Sequence, residues 1–274
     1  MKKQVKVLLG FLCFLFVCVF AYSGYQMLSI LHGYKEDSDQ YDELRSQYVS
    51  TAGTPSLNDV AYQNSGTQAS LESSPISVDF DSLRAQNDDV AAWLYCEGTV
   101  INYVVVHGDD NDYYLHRFMD GRANAGGTLF VDWMCGANFS GRNTVIYGHN
   151  MNDGSMFASL LKYAKQEYYD EHPVMYLNTP DQDYRIELFA GYVTSATSDV
   201  YTIGFSSDEY YMDYLNKMVS QSNFRSDVTL TAEDKIVTLS TCAYDFTNAR
   251  YVVQGKLVPI GDSSPAQPQS SAVG

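Results

Sequence analysis

The N-terminal end of the chain carries a long run of residues without a charge, and this run restricts what that end can form. Residues 7–31 contain no Asp, Glu, Lys or Arg, and residues 7–22 are predominantly apolar. About 20 such residues span a hydrocarbon core as an α-helix, which satisfies its own backbone hydrogen bonds in lipid. The run therefore predicts a transmembrane anchor within residues 1–32.

The charges beside this run predict how the anchor is oriented. Lys2, Lys3 and Lys6 precede it, and residues 1–32 contain no acidic residue. Because basic flanks stay in the cytoplasm, we expect a single-pass membrane protein whose body lies on the extracellular face. A cleaved signal peptide is the alternative, since the Ala-Tyr-Ser sequence at 21–23 resembles a cleavage site. The apolar run continues past that site and favours the uncleaved anchor.

The body of the chain is acidic, which restricts its partners. The whole sequence has 33 Asp and Glu against 17 Lys and Arg, a formal charge of −16. Binding to nucleic acid requires a basic surface that neutralises phosphates, so no nucleic-acid partner is expected. Docking by charge onto an anionic lipid surface is disfavoured for the same reason.

Composition divides the body into three parts. Residues 33–77 are expected to form an extracytoplasmic stalk, with a short polar helix or solvated segment at 35–49 and a Ser-, Thr-, Gly-, Asn- and Pro-rich linker at 50–77. The tail 262–274 is of low complexity and is predicted to be disordered. The catalytic or binding domain is therefore expected at residues 78–261.

Strand-like segments dominate this domain. Eight short runs are rich in β-branched and aromatic residues, which favour strands, and turn residues separate them. Such a pattern predicts a mainly β fold, either a closed barrel or a sandwich. The runs are 99–106, 128–131, 144–147, 174–177, 184–193, 228–231, 235–242 and 251–258.

Three helices are predicted beside the strands. Ser206 as N-cap with Glu209 at N3 forms a capping box, and apolar or aromatic residues follow at helical spacing. This stripe indicates packing against the core, and its members are Tyr211, Tyr214, Leu215, Met218 and Val219. Two more helices are expected at 79–86 and 155–164.

The cysteines do not have the spacing of a metal site. The chain has five, without a C-x-x-C pair or a Cys/His cluster, so no metal and no cofactor is expected. Two of them, Cys13 and Cys18, lie in the apolar run. A disulfide between Cys96 and Cys135 stays open at this point.

Cys242 and Arg250 form a candidate reactive pair. Cys242 ends the run 235–242, and Arg250 opens the next run. Taken alone, Cys242 indicates an inert core cysteine, and Arg250 a surface charge paired with Asp245. If the two runs pair as an antiparallel hairpin, however, Cys242 and Arg250 lie side by side. A guanidinium there would stabilise a thiolate or a developing oxyanion.

His149 is the best candidate among the five histidines for an acid or base. It follows the predicted strand 144–147 and a glycine, and loop positions just past a strand end often carry functional side chains. His107 also follows a strand and is a weaker candidate.

These residues carry a resemblance to a known family. Residues 238–242, Thr-Leu-Ser-Thr-Cys, match the TLxTC motif of sortases, the cysteine transpeptidases of Gram-positive cell surfaces, and the order His149, Cys242, Arg250 matches their triad. The resemblance covers nearly all of 79–261 and is specifically to class B. It includes the segments 80–83, 93–94, 101–103, 127–132 and 147–151 and the inserted helix at 206–221.

The resemblance implies a fold and a set of roles. The fold is a sortase-type eight-stranded β-barrel with N-terminal helices and an inserted helix before the Cys-bearing strand. Cys242 would be the nucleophile, His149 the general acid and base, and Arg250 the group that stabilises the oxyanion. The residues expected to shape the substrate groove are Asn102, Tyr147, Ser240, Thr241 and Asp245.

The resemblance also implies partners. The substrates would be secreted proteins with a C-terminal sorting signal, cleaved after a Thr, and the acceptor an amine of a peptidoglycan precursor or a pilin lysine. Val104 and His107 depart from the common pattern, and the loop between Cys242 and Arg250 is short. These three departures concern the groove walls and the Cys242–Arg250 geometry, and therefore substrate preference.

Two other readings of the residues remain open. A papain-like cell-wall cysteine peptidase or amidase would also need Cys and His, but it places Cys before His, whereas His149 precedes Cys242. The second alternative is a non-enzymatic, membrane-tethered surface β-domain with an inert Cys242. Its thiol would resist alkylation in the native state.

Overall fold

The uncharged N-terminal run lies in one long helix. The computed structural model describes residues 2–51 and 73–261, so most of the predicted linker 50–77 and the tail 262–274 lie outside the described residues. Helix α1, Lys2–Tyr48, contains the run and also residues 35–48 of the polar segment. Among the described residues it is the one helix long and apolar enough to cross a membrane.

The chain divides into two compact units, residues 1–43 and 44–274. The second unit begins in the last turn of α1, where Leu44 and Tyr48 are buried. Next come two short strands, β1 (Val49–Thr51) and β2 (Ile76–Val78), which pair antiparallel. The unit therefore includes residues 44–51 and 73–77, which the composition alone suggested as stalk.

Eight strands of the second unit close into a barrel, and the predicted fold class is confirmed. The strands are β3 (Val90–Tyr95), β4 (Asn102–Val106), β5 (Leu129–Val131), β6 (Asn143–Tyr147), β7 (Val174–Asn178), β8 (Asp183–Ser195), β9 (Ile236–Cys242) and β10 (Ala249–Ile260). Around the barrel the order is β10-β8-β7-β3-β4-β5-β6-β9. Because every strand has two neighbours, the barrel has no open edge.

Short helices connect the strands. Four-turn α4 (Asp208–Gln221) precedes the Cys-bearing strand β9, as predicted, and two shorter α-helices are α2 (Phe80–Gln86) and α3 (Gln166–Glu171). The predicted helix at 155–164 is instead a 3₁₀ helix, Ala158–Ala164. Met156 has a left-handed backbone, φ 54°, which prevents a regular helix from starting earlier. The other 3₁₀ helices within residues 2–51 and 73–261 are Tyr113–His116 and Asp199–Tyr201.

One predicted strand was wrong, and one strand of the barrel was missed, as were the two short strands β1 and β2. Residues 228–231 alternate between half-buried and exposed side chains, like a strand. However, the N–H groups of Val228 and Thr231 donate to the side chains of Ser226 and Asp234 and not to a neighbouring strand. The missed barrel strand, β3, is buried on both faces, so it lacks the alternation that indicates a strand.

Helix α4 begins one residue later than predicted. The N-cap is Ser207, whose Oγ accepts a hydrogen bond from the Tyr210 N–H at 3.1 Å. Four of the five predicted stripe residues are buried, while Val219 is 45% exposed. The buried four pack with Phe189, Ala190 and Tyr192 of β8, so the helix covers one side of the barrel.

The cap of α4 can be tested by a paired substitution. Ser207→Ala removes the acceptor for the Tyr210 N–H and should lower the free energy of unfolding by about 1 kcal/mol. For a unit of this size, the midpoint of thermal unfolding should fall by about 2–4 °C. Ser206→Ala is the matched control and should leave the midpoint nearly unchanged. A larger loss from Ser206→Ala would place the cap at the predicted position instead.

Candidate active site

The ends of three strands meet at one cleft. Tyr147 of β6 pairs in parallel register with Ser240 of β9, and Cys242 of β9 pairs antiparallel with Arg250 of β10. A cleft of about 180 Å³ opens beside these pairs. Its lining residues are Asn111, Leu115, Phe130, Tyr147, Gly148, His149, Ser240, Cys242 and Arg250.

The predicted juxtaposition of Cys242 and Arg250 is confirmed. The two residues are direct partners in the ladder between β9 and β10, so backbone hydrogen bonds and not a loop set their separation. Both side chains are half-buried. The Asn150 side-chain amide donates to the Cys242 carbonyl at 2.9 Å, and the Arg250 Nη1 donates to the Ala249 carbonyl at 3.0 Å. A thiol and a guanidinium thus share the cleft.

His149 reaches the cleft because Gly148 lets β6 approach its neighbours closely. A Cβ atom at Gly148 would lie 2.4 Å from the side chain of Leu129 and 2.6 Å from that of Phe157. Both distances are too short for a side chain. Glycine therefore allows the strand to end against the core, and the next residue, His149, lines the cleft.

Two contacts set the orientation of the His149 ring. Its Nε2 lies 2.7 Å from the Leu115 carbonyl oxygen, and its ring stacks on the exposed His116 ring with centroids 5.6 Å apart. A carbonyl oxygen only accepts, so the proton of a neutral His149 lies on Nε2. In this tautomer Nδ1 is the ring nitrogen that carries no proton.

Two hydroxyl groups shape the wall between the strands. The Ser240 hydroxyl lies 2.9 Å from that of Tyr201, and the Tyr201 ring lies 6.1 Å from the Tyr147 ring, centroid to centroid. Burial raises the pKa of Tyr201, while the Ser240 hydrogen bond and the positive charge of Arg250 act in the opposite direction. The Tyr201 hydroxyl therefore keeps its proton at neutral pH.

Three of the predicted groove residues do not line the cleft. The Asn102 side-chain oxygen accepts from the Trp93 indole N–H at 2.6 Å, so it is engaged within the fold. Thr241 is buried and donates to the Gly148 carbonyl at 2.8 Å, which joins the ends of β6 and β9. Asp245 is exposed and forms no ion pair with Arg250 in the part of the chain that the structure describes.

The loop that carries Asp245 places this residue in solvent. The loop 243–248 is closed by two backbone bonds, from Ala243 to the Ala249 carbonyl and from Ala249 to the Phe246 carbonyl. Residues 244–248 all lie exposed. In solvent an ion pair with Arg250 would gain little.

The other two cysteines of the barrel are more deeply buried than Cys242. Cys96 and Cys135 are buried free thiols, so the disulfide that stayed open from the sequence is not formed. Burial raises the pKa of both thiols. Within residues 2–51 and 73–261, no group of three His, Cys, Asp or Glu side chains is arranged to hold a metal ion.

Sequence reasoning missed several residues of the site, among them Phe130, which lines the cleft. Asn111, Leu115 and Tyr201 come from connecting segments that have no strand or helix periodicity. Asn111 and Leu115 both lie in the acidic and aromatic segment 109–116, between β4 and β5. The weaker candidate His107 does not line the cleft.

Comparison with known proteins agrees with this geometry. The sortase domain family model matches residues 94–258. Sortase B of Listeria monocytogenes is 34% identical over 244 residues, which cover 88% of this chain and 92% of that protein. A crystal structure of sortase B from B. anthracis has a TM-score of 0.69 at 32% identity, covering 84% of this chain and 99% of that chain.

A further sortase B structure holds a small peptide. It is a crystal structure of sortase B complexed with triglycine, with a TM-score of 0.63 at 32% identity, covering 66% of this chain and 86% of that chain. Together the family model, the curated relative and these structures agree on one assignment. The chain therefore belongs to the sortase family of cysteine transpeptidases and is a class B sortase.

Proposed function

We propose that Cys242, His149 and Arg250 together cleave a C-terminal sorting motif after a Thr and transfer the acyl group to an amine. The observation that carries this proposal is the shared cleft. Cys242 and Arg250 are ladder partners, and His149 lines the same cleft. These three groups supply a nucleophile, a cation for an oxyanion and a proton carrier.

In the first step the Cys242 thiolate attacks the Thr carbonyl carbon. A C–S bond forms, and the negative charge moves to the carbonyl oxygen, where the Arg250 guanidinium hydrogen-bonds it. When the C–N bond breaks, His149 as imidazolium gives its Nδ1 proton to the leaving nitrogen. The products of this step are a thioester on Cys242, the C-terminal fragment of the substrate released as an amine, and a neutral His149.

In the second step an amine resolves the thioester. The amine nitrogen attacks the acyl carbon and transfers a proton to His149, and the C–S bond breaks to regenerate the Cys242 thiolate. The acceptor is the amine of a peptidoglycan precursor or a pilin lysine. The triglycine bound to a related sortase B supports an acceptor with a small N-terminal amine.

The anchor would place this chemistry at the cell surface. We propose that the uncharged part of α1 crosses the membrane with Lys2, Lys3 and Lys6 in the cytoplasm, because basic flanks remain there. The catalytic unit then lies on the extracellular face. A tether raises the effective concentration of the enzyme for secreted substrates held at the same membrane.

The proposal is tested with the detergent-solubilised full chain and a library of fluorogenic peptides carrying sorting motifs. We expect motif-specific cleavage after Thr, and an amide-linked product by mass spectrometry when triglycine or a diaminopimelate-type amine is present. Cys242→Ala is the parallel control. Cleavage without an amine-linked product for any acceptor would indicate a peptidase, and an alkylation-resistant Cys242 without cleavage would contradict an enzymatic role.

A further inference from the structure

Asp132 is a buried carboxylate that holds two residues of the cleft wall. It is 5% exposed and is not itself a lining residue. Its Oδ2 accepts from the Tyr147 hydroxyl at 2.9 Å and from the Asn111 side-chain amide at 3.1 Å. Its Oδ1 accepts from the Met134 N–H at 2.9 Å. Two side chains that face substrate thus depend on one carboxylate behind them.

An ion pair does not account for the burial of this carboxylate, because Asp132 forms none within residues 2–51 and 73–261. Burying a carboxylate without a cation is unfavourable unless hydrogen bonds compensate for the lost water, and here both carboxylate oxygens have donors. Two of the three donors, Tyr147 and Asn111, line the cleft, which suggests that the carboxylate serves the cleft.

The state of the Tyr147 hydroxyl follows from these contacts. Burial and the negative charge of Asp132 both raise the pKa of Tyr147 well above its usual range, so the phenol keeps its proton. A hydroxyl has a single proton to donate, and this one is directed to Asp132. Towards substrate, the Tyr147 oxygen retains only the capacity to accept.

The second hydroxyl pair of the wall has no such bias. The oxygens of Ser240 and Tyr201 lie 2.9 Å apart, and either hydroxyl can be the donor. That pair therefore adapts to a substrate donor or acceptor. The ionised partner behind Tyr147 removes this freedom, because a carboxylate only accepts.

We propose that Asp132 is a positioning residue that fixes the Tyr147 hydroxyl as a hydrogen-bond acceptor, so that the cleft selects an N–H donor of the sorting peptide. Asn111 is oriented by the same carboxylate and by the backbone N–H of Trp133, which donates to the Asn111 side-chain oxygen at 3.0 Å. This inference rests on the proposed function, since the selected peptide is the sorting signal.

An ester scan of the peptide tests the inference. Each backbone N–H of a cleavable sorting peptide is replaced in turn by an ester oxygen, and KM and kcat are measured with the full chain in detergent. In the wild type, one ester position should raise KM roughly threefold to tenfold, as expected for one hydrogen bond, with kcat within about twofold. In Tyr147→Phe the same ester should raise KM by less than about twofold.

Asp132→Asn provides the second arm of the test. An asparagine amide can donate to the Tyr147 oxygen, which frees the tyrosine proton to turn towards substrate. The N–H preference at that position should therefore disappear in Asp132→Asn, and the Asp132→Asn/Tyr147→Phe double variant should behave like Tyr147→Phe alone. A purely structural loss would raise KM equally for every peptide of the scan and would leave the preference intact.

Asp183→Asn is the matched control. Asp183 is a half-buried carboxylate of the same barrel whose pKa burial raises. It pairs with Ile260 at one end of β10, whereas Arg250 and the cleft lie towards the other end. The ester preference of Asp183→Asn should match that of the wild type.

The outcomes separate this inference from the proposed function. An equal ester penalty in the wild type, Tyr147→Phe and Asp132→Asn would overturn the inference while leaving transpeptidation intact. If Asp132→Asn does not fold, the wild type is compared with Tyr147→Phe alone. A smaller ester penalty in Tyr147→Phe supports the inference, and an equal penalty overturns it. Absence of turnover in the wild type, or turnover that persists in Cys242→Ala, would overturn both.

Discussion

Cys242→Ala is expected to lose sortase activity down to background, a decrease on the order of 10⁴-fold or more in kcat. The thiol is the atom that becomes bonded to the acyl group, so no other residue of the cleft replaces it. The measurement is turnover of the selected fluorogenic peptide with and without triglycine. Mass spectrometry of the wild type should show an acyl adduct on Cys242 that is absent from the variant.

Cys135→Ala is the matched control for this loss. Cys135 is a buried thiol of the same barrel, and its Sγ contacts the Asn143 carbonyl at 3.8 Å. Its removal should leave kcat/KM within about twofold. Iodoacetamide should label Cys242 in the native enzyme and spare Cys135, whose pKa burial raises. Retained turnover in Cys242→Ala would rule out the thioester route.

Arg250→Ala should lower kcat/KM on the order of 10²-fold to 10³-fold, the usual loss when one oxyanion donor is removed. The guanidinium stabilises charge that exists only after the thiolate has attacked, so the decrease should appear mainly in kcat. Arg250→Lys keeps the charge but presents a compact ammonium in place of a planar fork. It should recover about tenfold relative to Arg250→Ala in the same peptide assay.

Arg142→Ala is the control for loss of an arginine. Arg142 precedes β6 and forms an ion pair with Asp208 at the start of α4, whereas the cleft lies at the Tyr147 end of that strand. This variant should keep kcat/KM within about twofold. Equal losses from Arg142→Ala and Arg250→Ala would indicate damage to the fold and not the loss of an oxyanion donor.

Residues joined by backbone pairing were predictable from the sequence. The neighbouring positions of Cys242 and Arg250 followed from one assumption, that two adjacent strand-like runs form an antiparallel hairpin, and the register agrees. His149 was placed by the glycine that precedes it, since such a turn projects the next side chain at a strand end. These inferences required only local pattern and one pairing.

Residues joined through loops were not predictable in this way. Asp132, Asn111 and Tyr147 come from three separate segments, and only the closed barrel brings their side chains together. Nothing in the spacing of an Asp after a short strand distinguishes a buried acceptor from a surface charge. The Leu115 carbonyl that binds His149 is a backbone group, for which residue type carries no signal.

The errors in the predicted secondary structure also arose where tertiary contacts, and not the local pattern, decided the outcome. Strand β3 has no polar face because both of its sides are covered, whereas 228–231 has the alternation of a strand but no partner strand among the described residues. The helix start moved from Ser206 to Ser207 because two adjacent serines are equally good N-caps. Only the tertiary position of the backbone decides between them.

The β9–β10 ladder holds Cys242 beside Arg250, so the loop between the two residues can be replaced without moving them. Seven consecutive residue pairs, from Cys242–Arg250 to Ile236–Lys256, hold these strands in register, while Tyr244 is 78% and Phe246 51% exposed. Sequence grafted at 244–247 would therefore change what an incoming polypeptide meets without altering the separation of thiol and guanidinium. A graft should retain Asn248 or place glycine there, since its backbone is left-handed, φ 61°. Enzymes for protein ligation can therefore be selected from libraries that vary this loop. Each variant would differ in substrate specificity, while Cys242 and Arg250 keep their positions.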